Sequence, residues 1–97
     1  MVTLRIQIHE KKGNCSIFEV GDEFFIDNFW LRENQGKICI HVLPNILHYS
    51  IALREGVSPI KLGLSKDENT AYIQCPDCGP PYTDGGTVVF KITRDGS

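Results

Sequence analysis

Apolar and polar residues alternate over residues 2–9. Val2, Leu4, Ile6 and Ile8 point one way, and Thr3, Arg5, Gln7 and His9 the other. A period of two is that of a strand with one face on a core. Lys11-Lys12-Gly13-Asn14 has the composition of a turn. Gly21-Asp22 then opens Glu23-Phe24-Phe25-Ile26-Asp27, whose aromatic and β-branched residues predict a second strand. Phe29, Trp30 and Leu31 either extend that strand or begin a loop, and Asn34-Gln35-Gly36-Lys37 is another turn.

Between Ile40 and Glu55 the period changes. Leu43, Ile46, Leu47, Ser50, Ile51 and Arg54 recur at spacings of three and four, which predicts a helix. Pro44 suits a first turn, where its missing N–H costs nothing, so the helix should start near Leu43. Gly56 can end it in the left-handed conformation, and Pro59 prevents continuation. Leu43, Ile46, Leu47 and Ile51 are expected to bury one helix face. Residues 57–69 read as irregular, with a turn at Asp67-Glu68-Asn69. Residues 70–75 predict a third strand and residues 76–86 a long loop rich in Gly and Pro. Residues 87–93 predict a fourth strand, with Val88, Phe90 and Ile92 on one face.

The order is strand, strand, helix, strand, strand. One apolar sheet face needs a cover and one helix is there to supply it. The expected fold is α+β: a small, mostly antiparallel sheet of about four strands with one covering helix. The first and last strands should share that sheet.

Length and charge narrow the function. The 97 residues fit a single domain. A chain of this size buries only about 60–65% of the surface its unfolded form exposes, so its core is small. Ten Lys and Arg stand against 12 Asp and Glu, a net charge of −2. No basic field exists for nucleic acid. No apolar run approaches the roughly 18 residues of a membrane span. Met1-Val2-Thr3-Leu4-Arg5 has no apolar signal segment, so a cytoplasmic location is expected. A protein partner or a second copy of the chain remains open.

Three motifs recur in a fixed order. Cys15 sits ahead of Val20-Gly21-Asp22-Glu23-Phe24, and Cys39 opens a helix ending in Ala52-Leu53 and Gly56. Cys75-Pro76-Asp77 is followed by Val88-Val89-Phe90-Lys91-Ile92. In this pattern the chain resembles a family of small prokaryotic proteins of about this length whose function is uncharacterised. The resemblance spans nearly the whole chain. It implies a fold and three cysteine positions, Cys15, Cys39 and Cys75, and no reaction. The chain departs from the family in carrying His48 where a helix proline is usual, with Pro44 earlier. Cys78 and residues 82–86 are local additions.

Four cysteines are many for a cytosolic chain of this size. Cys75-Pro76-Asp77-Cys78-Gly79 puts two sulfurs on one turn, as zinc knuckles and rubredoxin-like sites do. A tetrahedral site needs four ligands, so Cys15 and Cys39 would have to converge on Cys75 and Cys78 through the fold, with zinc or iron as the metal. Thiol redox chemistry competes. A thioredoxin-like pair is disfavoured, because Gly79-Pro80-Pro81 cannot cleanly begin the helix that lowers such a thiol's pKa. Plain packing also competes: cysteine is often buried and packs like a small hydrophobe. Cys39 between Ile38 and Ile40, and Cys75 after Ile73, fit a core; Cys78 does not.

Other candidates are weaker. His9, His41 and His48 are expected at the surface or in hydrogen bonds, with His41 best placed for function because it follows Cys39. Asp22 and Glu23 are explained by a turn into a strand, and Asp77 by loop chemistry. Trp30 beside Phe29 is either a surface aromatic patch for a partner or a rim of the core, and the core is favoured for a domain so small. Three readings follow: a metal-binding or thiol-redox accessory protein using Cys15, Cys39, Cys75 and Cys78; a binding or assembly module whose cysteines only pack; and, weakest, an enzyme with a cysteine nucleophile near His41.

Overall fold

The computed structural model describes residues 2–33 and 36–96. The chain order is β1 (Val2–Gly13), β2 (Glu23–Asp27), β3 (Trp30–Glu33), α1 (Leu43–Arg54), β4 (Thr70–Gln74) and β5 (Gly86–Gly96). One sheet holds all five strands in the order β3-β2-β1-β5-β4, and each pairing is antiparallel. As expected, the first and last strands share the sheet; they are its central neighbours.

The alternation in β1 decides the layers. Leu4, Ile6 and Ile8 are buried, and across the sheet they meet Phe24, Ile26, Phe90 and Ile92. Ala71 and Ile73 of β4 continue the same face. The opposite face carries Thr3, Arg5 and Gln7, and Arg5 there holds Glu23 through Nε at 3.0 Å and Nη2 at 2.9 Å. A register shift between Ile8 and Glu10 marks a bulge at His9, near the end where β1 leaves β2.

The expectation of about four strands needs one correction, since residues 30–33 form a strand of their own. A two-residue turn joins β2 to β3, and its first residue, Asn28, holds φ at 63°. Tight hairpin turns require a positive φ at that position, which Asn tolerates. The usual second residue is Gly, and Phe29 in its place hides the signal. The edge strand also overturns the placement of Phe29 and Trp30 at the core rim: they are 84% and 59% exposed. Trp30 lies opposite Asp27, on the sheet face turned away from the helix. Of the turn expected at 34–37, Asn34 and Gln35 lie outside the described residues.

Helix α1 begins at Leu43 with Pro44 in its first turn. It ends in a Schellman motif: Gly56 N–H bonds the Leu53 carbonyl at 3.2 Å and Val57 N–H the Ala52 carbonyl at 3.0 Å, with Gly56 at φ 88°. From β5, the Arg94 guanidinium donates to the carbonyls of Leu53 (3.3 Å), Val57 (2.7 Å) and Glu68 (2.7 Å). A cation at a helix C-terminus is favourable by about 0.3–1 kcal/mol. It also ties the helix end to the sheet.

The buried helix face is rotated from the expected one. Val42, Ile46, Ser50 and Leu53 are buried, while Leu47 and Ile51 are 50% and 63% exposed; Leu43 is half-buried. Two stripes at helical spacing overlap in this sequence. They share Ile46 and Ser50, and the sheet takes the one that adds Val42 and Leu53; the Ser50 hydroxyl donates to the Leu47 carbonyl at 3.0 Å. Among the described residues, no helix is long and apolar enough to cross a membrane.

Candidate functional site

At one end of the sheet the cover passes from the helix to a loop. Phe18, from the β1–β2 connection, is buried there against Phe24 and Phe90, with ring centroids 6.2 and 5.5 Å away. Beside this aromatic group opens a pocket of about 180 Å³. Its apolar wall is Phe18, Val42, Val88 and Phe90, and its polar wall includes Asn14, Ser16, His41 and Asp77. Cys15, Cys39 and Cys75 all line it.

Each thiol arrives from a different segment. Cys15 follows β1, Cys39 precedes α1, and Cys75 directly follows β4. Cys75 is buried in the core cluster, Cys15 and Cys39 are half-buried against it, and all four cysteines are free thiols. The Cys75 sulfur accepts the Val88 N–H at 3.3 Å, while its thiol faces the Gly86 carbonyl at 3.6 Å. The sulfur therefore has a backbone donor and a backbone acceptor within reach.

Gly86 brings Cys15 to this group. A Cβ on Gly86 would stand 2.5 Å from the Lys12 carbonyl oxygen, 2.8 Å from Asn14 N and 2.9 Å from Cys15 N. Only a residue without a side chain lets the start of β5 lie so close to the chain leading into Cys15.

Asp77 organises the loop that follows Cys75. Its Oδ1 accepts the Gly79 N–H at 2.8 Å and the Thr83 hydroxyl, and its carbonyl accepts the Thr87 hydroxyl at 2.6 Å. The Thr83 hydroxyl, then the Gly79 N–H, hold its carboxyl below the usual carboxylate range. Partial burial opposes them, and the Gly86 N–H and the charge of His41 add to the lowering. The same loop contains the cis Pro80–Pro81 peptide.

The structure therefore gathers Cys15, Cys39, Cys75, His41 and Asp77 around one pocket, and Cys78 is not among the lining residues. Cys78 is exposed, with its thiol 3.9 Å from the Pro76 carbonyl. Among the described residues, no three His, Cys, Asp or Glu side chains are grouped to hold a metal ion as they stand. His9 packs on the Tyr72 ring at 5.3 Å and His48 on Tyr49 at 4.7 Å. Asp22 accepts the Glu19 N–H at 2.9 Å, the turn role expected of it. Phe18, Val42 and Gly86 are the site residues that motif reading passes over; the apolar pair Ile17-Phe18 beside Cys15 is the one local signal for Phe18. Comparison with protein families, with curated proteins and with solved structures gives no match for this chain.

Proposed function

We propose that this chain is a small metal-binding accessory protein of the cytoplasm, with Cys15, Cys39 and Cys75 as its ligands. The observation that supports it is the convergence of these three cysteines, from separated segments, on one pocket. Soft thiolates select zinc, copper(I) and iron–sulfur chemistry over hard cations. His41, on the same pocket, is a further donor of a type that zinc and iron accept. Cys78, exposed outside the pocket, is left out of the ligand set. The free thiols suit a reducing compartment.

A second reading, thiol redox chemistry, is favoured by the partial exposure of Cys15 and Cys39, which leaves two thiols of one pocket open to reagents.

One experiment separates these readings. Protein purified with reductant and without chelator is assayed for bound metal, for cobalt(II) uptake and for thiol reactivity. The metal reading expects stoichiometric cobalt with sulfur-to-cobalt charge-transfer absorption. It also expects three thiols protected until a chelator is added, and one fast thiol at Cys78. The redox reading expects no metal and a Cys15–Cys39 bond after mild disulfide treatment. Thiols released only by denaturant, with no metal and no chelator effect, would leave the cysteines as packing and sink both readings.

A further inference from the structure

The two edges of the sheet are finished differently. At β4 the chain closes its own edge: the Tyr72 N–H bonds the Leu64 carbonyl at 2.9 Å, and Asn45 Nδ2 donates to the Gln74 carbonyl at 2.9 Å. At β3 none of the described residues does the same. The Asp27–Trp30 pair closes the hairpin, so Trp30 and Arg32 turn their backbone groups to β2, and Leu31 and Glu33 turn theirs outward. An unpaired edge is a template for another strand, and proteins usually blunt it with lysine, proline or a cover.

Apolar surface surrounds this edge. Leu31 pairs with Ile26 and so stands on the helix side of the sheet, Trp30 stands on the other side, and Phe29 lies in the turn. Arg54 links the hairpin to the helix: its guanidinium donates to the Asn28 carbonyl and lies 5.4 Å from the Phe29 ring centroid. Leu47 and Ile51 share the helix flank of Arg54 by helical spacing and continue the patch. All five apolar residues are exposed. Together they present on the order of 500 Å² per chain, as much as the largest apolar patch of an ordinary monomer. With a polar rim this approaches the roughly 600 Å² per partner at which specific interfaces begin.

We propose that the occupant of this edge is a second copy of the chain, joined β3 to β3 about a two-fold axis so that two five-stranded sheets become one. Such a contact must be self-complementary, and this edge is so in one register. With Leu31 opposite Leu31 of the second copy, the outward N–H and C=O of each bond the other. Trp30 then meets Arg32 of the second copy across the seam, a cation–π pairing formed twice by symmetry. On the helix side, Glu33 comes to the Phe29 end of the second copy, beside its Arg54. Among the described residues Arg54 makes no ion pair, and its Nε is buried without a hydrogen-bond partner. The dimer brings that guanidinium a carboxylate which one copy alone does not. A register centred on Arg32 would instead set two like charges directly opposite each other. None of these residues lines the cysteine pocket, so the dimer stands independently of the metal-binding reading.

The test is sedimentation equilibrium of the full chain from low to high micromolar concentration. Reductant and chelator are present, so that neither a disulfide nor a bridging metal joins the copies. The expected result is a reversible monomer–dimer equilibrium with a micromolar Kd, as suits an interface of small area. Leu31→Lys sets two ammonium groups face to face at the seam and should weaken the dimer at least about tenfold. Glu33→Arg and Arg54→Glu should each weaken it, and the double variant should regain it. Tyr82→Lys, at an exposed ring in the loop after β4, should dimerise like the wild type. Circular dichroism confirms that each variant is folded. A chain that stays monomeric throughout would overturn the second copy as occupant. A dimer indifferent to Leu31→Lys would overturn β3 as its seam. Single charge variants that dimerise like the wild type, or a double variant that does not recover, would overturn the register.

Discussion

Asp27 shows how single side chains set the behaviour of this sheet. Its carboxylate accepts Thr3 Oγ1 at 2.9 Å, Arg32 Nη2 at 3.2 Å and Arg32 Nε. The hydrogen bond from Arg32 chiefly lowers its pKa, opposed by burial and helped by Thr3 and by the charge of Arg32. A carboxyl whose folded pKa lies below its unfolded value, about 3.9, stabilises the fold above that value. The contribution is lost as pH falls through the lower, folded pKa. Asp27→Asn should therefore cost stability at pH 7, and the gap to the wild type should narrow near pH 3. Denaturant unfolding at the two pH values measures it. A gap of the same size at both would show that the Asp27–Arg32 contact does not depend on the charge. Arg32 also lies 4.1 Å over the Phe25 ring, so the hairpin edge is held by one guanidinium acting on two partners.

At the scale of the element, the helix separates what patterning reveals from what packing decides. Its start at Leu43 and its stop at Gly56 follow from Pro and Gly chemistry and are legible in the sequence. Its buried face is legible only in part: Ile46 is buried as expected, but Leu43, Leu47 and Ile51 offer partners for it as apolar as Val42 and Leu53. The choice depends on the sheet, from which Arg94 anchors the helix end. Ile46→Ala should cost about 2–5 kcal/mol, as for other buried truncations. Leu47→Ala should stay near the roughly 0.5 kcal/mol of a surface change. Thermal or denaturant unfolding of both variants checks this, and equal losses would refute the assigned face. Strand β3 escaped the pattern for a similar reason. With Phe29 in the turn and each of its four residues exposed, it shows neither a turn signature nor a buried alternation.

For the whole molecule, the site depends on contacts between distant parts of the chain. The sequence marks Cys75 by its motif and Cys15 and Cys39 by their order, but no spacing rule brings them to one pocket. Gly86 does part of that work by letting β5 approach the residues before Cys15, a requirement that is invisible until the strands are paired. The pairing of Cys75 with Cys78 was legible as a motif, yet only Cys75 turns to the pocket, since the loop after it is drawn in by Asp77 and leaves Cys78 outside. Gly86→Ala should lower stability by about 1–3 kcal/mol, the range for overpacking. It should also expose Cys15 to faster alkylation, measured by mass spectrometry of the native protein. Unchanged stability together with unchanged reactivity would contradict the close approach.

The central position of β5 carries a consequence in time. β1 has β2 on one side and β5, from the other end of the described chain, on the other. During synthesis β1 and β2 emerge early, but the seam between β1 and β5 closes only after the residues of β5 have left the ribosome. Pairings of such long sequence separation are slow, because the intervening chain must be gathered before contacts reward it. Until then Cys15, Cys39 and Cys75 travel as separate thiols on an open chain. The pocket, lined in part by Gly86, Val88 and Phe90 of β5, cannot be complete before that seam closes, and a ligand that bridges those segments would act as the clasp that keeps it shut.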